Sequence, residues 1–80
     1  MTFYIKHLKG LMQRAGAEYT PQNKELMDKA VREVVGMQRA DAPEVWDKVK
    51  GIMFSGKDEK ARKEFEDAVV KLMVRYLITG

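Results

Sequence analysis

The stretch DEKARKEFEDAVVKLMVRYLIT, residues 58–79, decides the fold of this 80-residue chain. Its first half carries opposite charges four residues apart, a spacing that stabilises a helix by about 0.2–0.5 kcal/mol per pair. The expected pairs are Asp58–Arg62, Glu59–Lys63, Lys60–Glu64 and Lys63–Asp67. Apolar residues recur at helical spacing along one face: Ala61, Phe65, Ala68, Val69, Leu72, Met73 and Tyr76. The stretch therefore predicts an amphipathic helix over about 58–79.

The second half of this helix is more apolar than one face requires. Between residues 68 and 78, only Lys71 and Arg75 are charged. Val70, Val74 and Ile78 fall beside and behind the predicted core face, so this half-helix should be covered nearly all round. Two interpretations stay open: it is the central helix of a bundle, or a second copy of the chain covers part of it. We take Val70, Val74 and Ile78 as candidate interaction residues.

Three further amphipathic helices are predicted upstream, over about 2–15, 21–38 and 42–54. Thr2 is the expected N-cap of the first helix, and Thr20 followed by Pro21 is a strong start signal for the second. Asp41 with Glu44 indicates a capping box for the third. Because the connections are short, consecutive helices should be antiparallel or angled neighbours. The predicted fold is an all-α, four-helix bundle that forms a single helical domain over residues 1–80.

The composition of the chain limits the size of its core and excludes several kinds of site. Apolar residues make up 45% of the chain, which is enough for one core but not for a core and a deep substrate cavity. The chain has no cysteine, so disulfides, thiolate metal sites and cysteine nucleophiles are excluded. No apolar run approaches the roughly 18 residues that a membrane span needs. We expect a cytoplasmic protein without a transmembrane segment.

The net charge of +3 is concentrated in one segment. Residues 1–17 contain Lys6, Lys9 and Arg14 and no acid, whereas the remaining residues are balanced. A basic helix of this kind can contact phosphates, lie on an anionic membrane surface or bind an acidic protein. It can also simply pack its apolar stripe and leave its cations in water. Lys6, Lys9 and Arg14 are the second set of candidate interaction residues.

No motif predicts a catalytic, cofactor-binding or metal site. Residues 51–57 fit the spacing G-x-x-x-x-G-K of a phosphate-binding loop, but Asp58 stands where that loop needs a hydroxyl. The segment is also predicted as a helix end, not as the turn after a buried strand. His7 is the sole histidine and Ser55 the sole serine, and neither has a recognisable catalytic partner. We therefore expect no enzyme activity, no cofactor and no metal.

The remaining aromatic and charged residues are predicted to have structural roles. Trp46 and Tyr76 occur at core spacing, so packing is favoured over stacking on a ligand. Asp28 and Arg32 are expected as an ion pair on the exposed side of the second helix. His7, beside lysines, is expected to be a solvated surface group.

These observations favour a non-enzymatic protein-interaction module, such as a small adaptor, regulatory or assembly component. Self-association through the fourth helix, which would make a homodimer, is one form of that hypothesis. The alternative is a nucleic-acid-associated protein that uses the basic N-terminal helix. An enzyme ranks behind both.

Overall fold

A computed structural model of the chain describes residues 2–56 and 58–79. Within these ranges the chain forms four α helices, preceded by a short 3₁₀ helix at Ile5–Leu8. The helices are α1 (Lys9–Arg14), α2 (Pro21–Val35), α3 (Ala42–Met53) and α4 (Glu59–Thr79). The all-α four-helix prediction is confirmed.

The first helix differs from the prediction of one helix over 2–15. The chain bends at Leu8, with φ −116° and ψ 19°, between the 3₁₀ helix and α1. The N-cap position is Tyr4 instead of Thr2, whose carbonyl accepts a hydrogen bond from the Ile5 amide at 3.0 Å. Because a 3₁₀ helix has three residues per turn, Ile5 and Leu8 eclipse each other on the buried side.

The ends of the other helices follow from their capping chemistry. The Thr20 hydroxyl accepts a hydrogen bond from the Asn23 amide at 3.2 Å, which confirms the predicted start of α2. This helix ends at Val35, earlier than expected, because Gly36 takes the left-handed conformation with φ 72°. The capping box at Asp41 is wrong: its side chain makes no capping hydrogen bond. Pro43 contributes to this, since it removes one of the amides that a capping side chain can reach.

Helix α4 lies at the centre of the bundle and packs against α1, α2 and α3. It begins at Glu59, with the Asp58 carboxylate accepting a hydrogen bond from the Ala61 amide at 3.0 Å. The apolar core is made of these buried residues: Tyr4, Ile5, Leu8, Leu11, Met12, Met27, Ala30, Val31, Ala42, Val45, Val49, Met53, Phe65, Val69 and Met73.

The expectation that the second half of α4 is covered nearly all round is not met within the chain. Val70 and Val74 are half-buried, and Ile78 is 79% exposed. Ala68, which the sequence analysis placed on the core face, is exposed because Val69 and Met73 occupy the centre of that face. A side of the helix therefore stays open to solvent near its C-terminal end.

A buried polar network fastens the N-terminal segment to the bundle. The Tyr4 hydroxyl donates to one oxygen of Asp28, and the Arg32 Nε donates to the other at 3.0 Å. Arg32 also donates to the carbonyls of Gln38 and Ala40, which lie in the connection between α2 and α3. Asp28 is only 7% exposed, so the prediction of a solvent-facing Asp28–Arg32 pair was right about the pair and wrong about its place. Burial and the neighbouring Asp28 carboxylate raise the pKa of Tyr4 far above its usual range.

We predict that Tyr4→Phe lowers the free energy of unfolding at neutral pH by about 1–3 kcal/mol. The substitution keeps the buried ring but leaves an oxygen of the buried Asp28 carboxylate without its donor. Urea denaturation followed by circular dichroism measures the difference. Tyr19→Phe is the control, because it removes a hydroxyl from an exposed ring and should change stability by less than about 0.5 kcal/mol.

We also predict that Tyr4→Phe changes how the free energy of unfolding depends on pH. A raised phenol pKa stabilises the folded state fully below the ordinary value of 10.0, and that contribution is lost as the pH rises toward the folded-state pKa. The loss of stability above pH 10.0 should therefore be shallower in Tyr4→Phe than in the wild type. Some loss should remain, since burial and Glu33 raise the pKa of Tyr76 to about 12. Identical alkaline profiles for the two proteins would contradict this account.

Candidate interaction surface

Ring contacts link three exposed side chains to Trp46, directly for His7 and Phe54 and through the buried Tyr4 for Phe3. The imidazole of His7 stacks on the indole at 4.9 Å with an interplanar angle of 9°, and Phe54 meets it edge-on at 6.0 Å. Phe3 joins through Tyr4, whose buried ring stacks on Trp46 at 5.9 Å and contacts Phe3 at 5.7 Å. We call Phe3, His7, Trp46 and Phe54 the aromatic surface.

This surface is open to solvent. Phe3 is 49% exposed and Phe54 is 58% exposed, while Trp46 is half-buried and His7 is exposed. Trp46 packs against the core as predicted, but it also stacks with His7 on the outside. The expectation of a merely solvated His7 misses this stacking.

The sequence carries only a faint signal for this arrangement. Phe3 and Phe54 lie just outside helices, at positions that no amphipathic period assigns to the core. Their link to Trp46 depends on the N-terminal segment, where Tyr4 and His7 stack on the indole, and amphipathic periodicity does not predict this contact.

Cations border the aromatic surface. The Lys50 ammonium lies 5.7 Å from the centre of the Trp46 ring and 3.3 Å from the Asp47 carboxylate. Lys6 is exposed next to His7 in the sequence. The surface thus combines exposed rings with the Lys50 ammonium beside the Trp46 ring.

A groove of about 300 Å³ adjoins the aromatic surface and shares two of its residues. We call it the α1–α4 groove. It is lined by His7, Leu8, Gly10, Leu11, Arg14, Met53, Phe54, Arg62 and Glu66. Its apolar lining includes three core residues, Leu8, Leu11 and Met53. The groove is therefore an apolar depression with charged side chains among its lining.

An ion-pair cluster fixes those charges. Arg62 donates from Nε to Glu66 at 3.0 Å, and Arg14 lies 3.7 Å from Glu66 and 2.8 Å from Asp67. Glu66 is 19% exposed, whereas both arginine side chains are about half exposed. Among the described residues, these contacts replace the ion pairs predicted within the fourth helix.

The candidate cations of the first segment do not act as one free patch. Arg14 is paired across the bundle with α4. The Lys9 ammonium lies 4.6 Å from the centre of the Tyr19 ring, which Lys24 also approaches at 4.5 Å. Lys6 has no ion-pair partner within the part of the chain that the structure describes. Lys6, Lys9 and Arg14 share one basic segment of the sequence but have three different settings in the structure.

A further groove is lined partly by residues of the buried polar network. This groove of about 590 Å³ runs beside Asp28 and Arg32, whose charged groups belong to the buried network.

In the rejected phosphate-loop match, Gly51 lies within α3 and Gly56 takes a left-handed φ of 70° after the helix end. Lys57, the lysine of that match, lies outside the described residues.

Across residues 2–56 and 58–79, no helix has the length and apolarity needed to cross a membrane.

Comparison with known proteins finds no matching protein family, no similar curated protein and no similar solved structure. The chain is accordingly defined by its own geometry, as a small all-α four-helix protein with an exposed aromatic surface beside an apolar groove.

Proposed function

We propose that this protein is a non-enzymatic protein-interaction module and that its partner binds on the aromatic surface. The observation that carries the proposal is the exposure of Phe3 and Phe54, which ring contacts link to the Trp46–His7 stack, directly for Phe54 and through Tyr4 for Phe3. Small domains usually bury large aromatic side chains, and contiguous exposed apolar patches mark binding sites.

The composition and rigidity of the surface support this function. Trp, Tyr, Phe and Arg are enriched in protein interfaces, and truncation of such residues accounts for most large losses of affinity. The stack on Trp46 holds His7 in place, and Tyr4 is anchored below by Asp28. Because these rings are already ordered, a partner would lose little affinity to ordering them.

We predict that Phe54→Asp abolishes or strongly reduces capture of the partner. A carboxylate at position 54 would place an unpaired charge in an interface that must exclude water. Phe54 follows the end of α3 and is exposed, so the fold should persist in the variant. The measurement is quantitative affinity capture from the native cells with the tagged full chain, comparing wild type with variant.

Ile78→Asp is the matched control for this experiment. It makes the same kind of change at an exposed apolar residue near the C-terminal end of α4. Proteins retained by wild type and Ile78→Asp but lost by Phe54→Asp would support the aromatic surface. Equal capture by all three proteins would contradict the proposal.

We also propose that the open side of α4, with Val70, Val74 and Ile78, supports self-association. Ile78 is 79% exposed, and the two valines are only half-buried by the chain itself. Burial of about 25 cal/mol per Å² of apolar surface would stabilise a pair of such helices.

In sedimentation velocity, Ile78→Glu should shift any dimer toward monomer, because it would place two carboxylates in one interface. Phe54→Asp serves here as the control that should leave the dimer intact. A wild-type protein that stays monomeric at every concentration would refute self-association through α4.

A nucleic-acid-associated function is the second candidate. It is favoured by exposed rings that bases can stack on, next to Lys6 in a segment without acids. If it holds, binding of a fluorescent single-stranded oligonucleotide must weaken steeply with salt and be reduced by Lys6→Glu combined with Lys9→Glu. Binding that is absent or insensitive to salt would exclude this candidate.

A further inference from the structure

The sole histidine of the chain is stacked on its sole tryptophan. The imidazole of His7 lies nearly parallel to the indole of Trp46, with the ring centres 4.9 Å apart. His7 is exposed and Trp46 is half-buried, so the stack lies at the boundary between the core and solvent. Histidine is the side chain whose charge ordinarily changes between about pH 5 and pH 8. The aromatic surface therefore contains a ring that can be neutral in mild base and cationic in mild acid.

A protonated His7 would stay on Trp46. The face of an indole attracts a cation, and tryptophan is the best of the aromatic side chains in this respect. The indole already has one cation near it, since the Lys50 ammonium lies 5.7 Å from its centre. Leu8, the next residue along the chain, is buried in the core and limits how far the backbone at position 7 can move. Protonation would thus add a charge to the aromatic surface without releasing the ring from it.

On the α3 side of the stack, the nearby carboxylate is already paired with a cation. Lys50, which lies over the Trp46 ring, is 3.3 Å from the Asp47 carboxylate. The neighbour of His7 in its own segment is Lys6, which is exposed and adds a further positive charge.

On the α1 and α4 side, the charged groups are paired as well. His7 lines the α1–α4 groove together with Arg14, Arg62 and Glu66. The Glu66 carboxylate lies 3.0 Å from Arg62 and 3.7 Å from Arg14. An imidazolium at position 7 would therefore be surrounded by cations and by carboxylates that already have partners.

We propose that His7 is a pH switch of the aromatic surface and that its protonation weakens binding of the partner. An interface that excludes water from Trp46 and Phe54 would have to bury the imidazolium without a free counter-charge from the groups around it, which is unfavourable. A neutral imidazole presents a flat ring to the partner and carries no such cost. The inference rests on the proposed function and describes how the same surface is regulated.

The first test measures the stack in the isolated full chain. Because Trp46 is the sole tryptophan, selectively excited indole fluorescence reports on its surroundings alone. An imidazolium quenches an excited indole more strongly than a neutral imidazole does, so the emission should fall as the pH is lowered from about 8 to about 5. His7→Gln has no charge at any pH and should abolish this change. A flat profile in the wild type, or the same profile in the variant, would overturn the switch.

The second test measures capture from the native cells by the tagged full chain at about pH 8 and about pH 5. It scores the proteins whose capture is lost in Phe54→Asp. We expect the wild type to retain about tenfold less of these proteins at the lower pH. His7→Phe keeps a flat neutral ring and should retain them equally at both pH values. His7→Arg is charged at both and should retain little at either.

Circular dichroism at both pH values verifies that each variant is folded. Wild-type capture that stays constant or rises at the lower pH, or an equal fall in His7→Phe, would refute the switch. Failure of the proposed function has a different signature, because then no captured protein depends on Phe54 and the switch fails with it. If capture depends on Phe54 but not on the charge of His7, the aromatic surface stands as the binding site and the switch does not.

Discussion

The position of the N-terminal segment, and with it the surface around Trp46, depends on the hydrogen bond from the buried Tyr4 hydroxyl to Asp28. The Asp28 carboxylate also accepts a hydrogen bond from Arg32. Arg32 in turn donates hydrogen bonds to backbone carbonyls in the connection between α2 and α3. A buried carboxylate must be fully paired, because an unpaired one would be strongly destabilising. The chain therefore has one low-energy place for Tyr4, and the 3₁₀ helix that follows is fixed with it. Without that constraint, nothing would hold Phe3 against Tyr4 or His7 against Trp46.

The anchored N-terminal segment shapes two parts of the molecular surface. On one side it stacks His7 on Trp46 and brings Phe3 next to the same rings. On the other it bends at Leu8 and directs α1 along α4, where Arg14 meets Glu66 and Asp67. The aromatic surface and the α1–α4 groove are thus two consequences of one anchored segment.

The number and order of the helices could be predicted because they rest on local rules. Thr20 with Pro21 starts α2 as expected, and Gly36 ends it through its left-handed conformation. The errors occur where distant residues compete with local preference. Tyr4, held by Asp28, takes the N-cap position expected for Thr2, and Glu66 of α4 pairs both with Arg62 of its own helix and with Arg14 of another. For the site, Trp46 was placed correctly against the core, but its stacking with His7 was not foreseen.

The sequence by itself determined the all-α class, the four-helix order and the excess of apolar surface in the second half of α4. Helical periodicity and capping are properties of neighbours along the chain, so they are readable from residues three or four apart. Only the tertiary structure decided that Asp28 is buried, that Lys6, Lys9 and Arg14 have separate settings, and that His7 and Phe54 meet at one tryptophan. Those facts depend on how the N-terminal segment packs on α2 and on Trp46 of α3, and contacts between segments far apart in sequence set that packing.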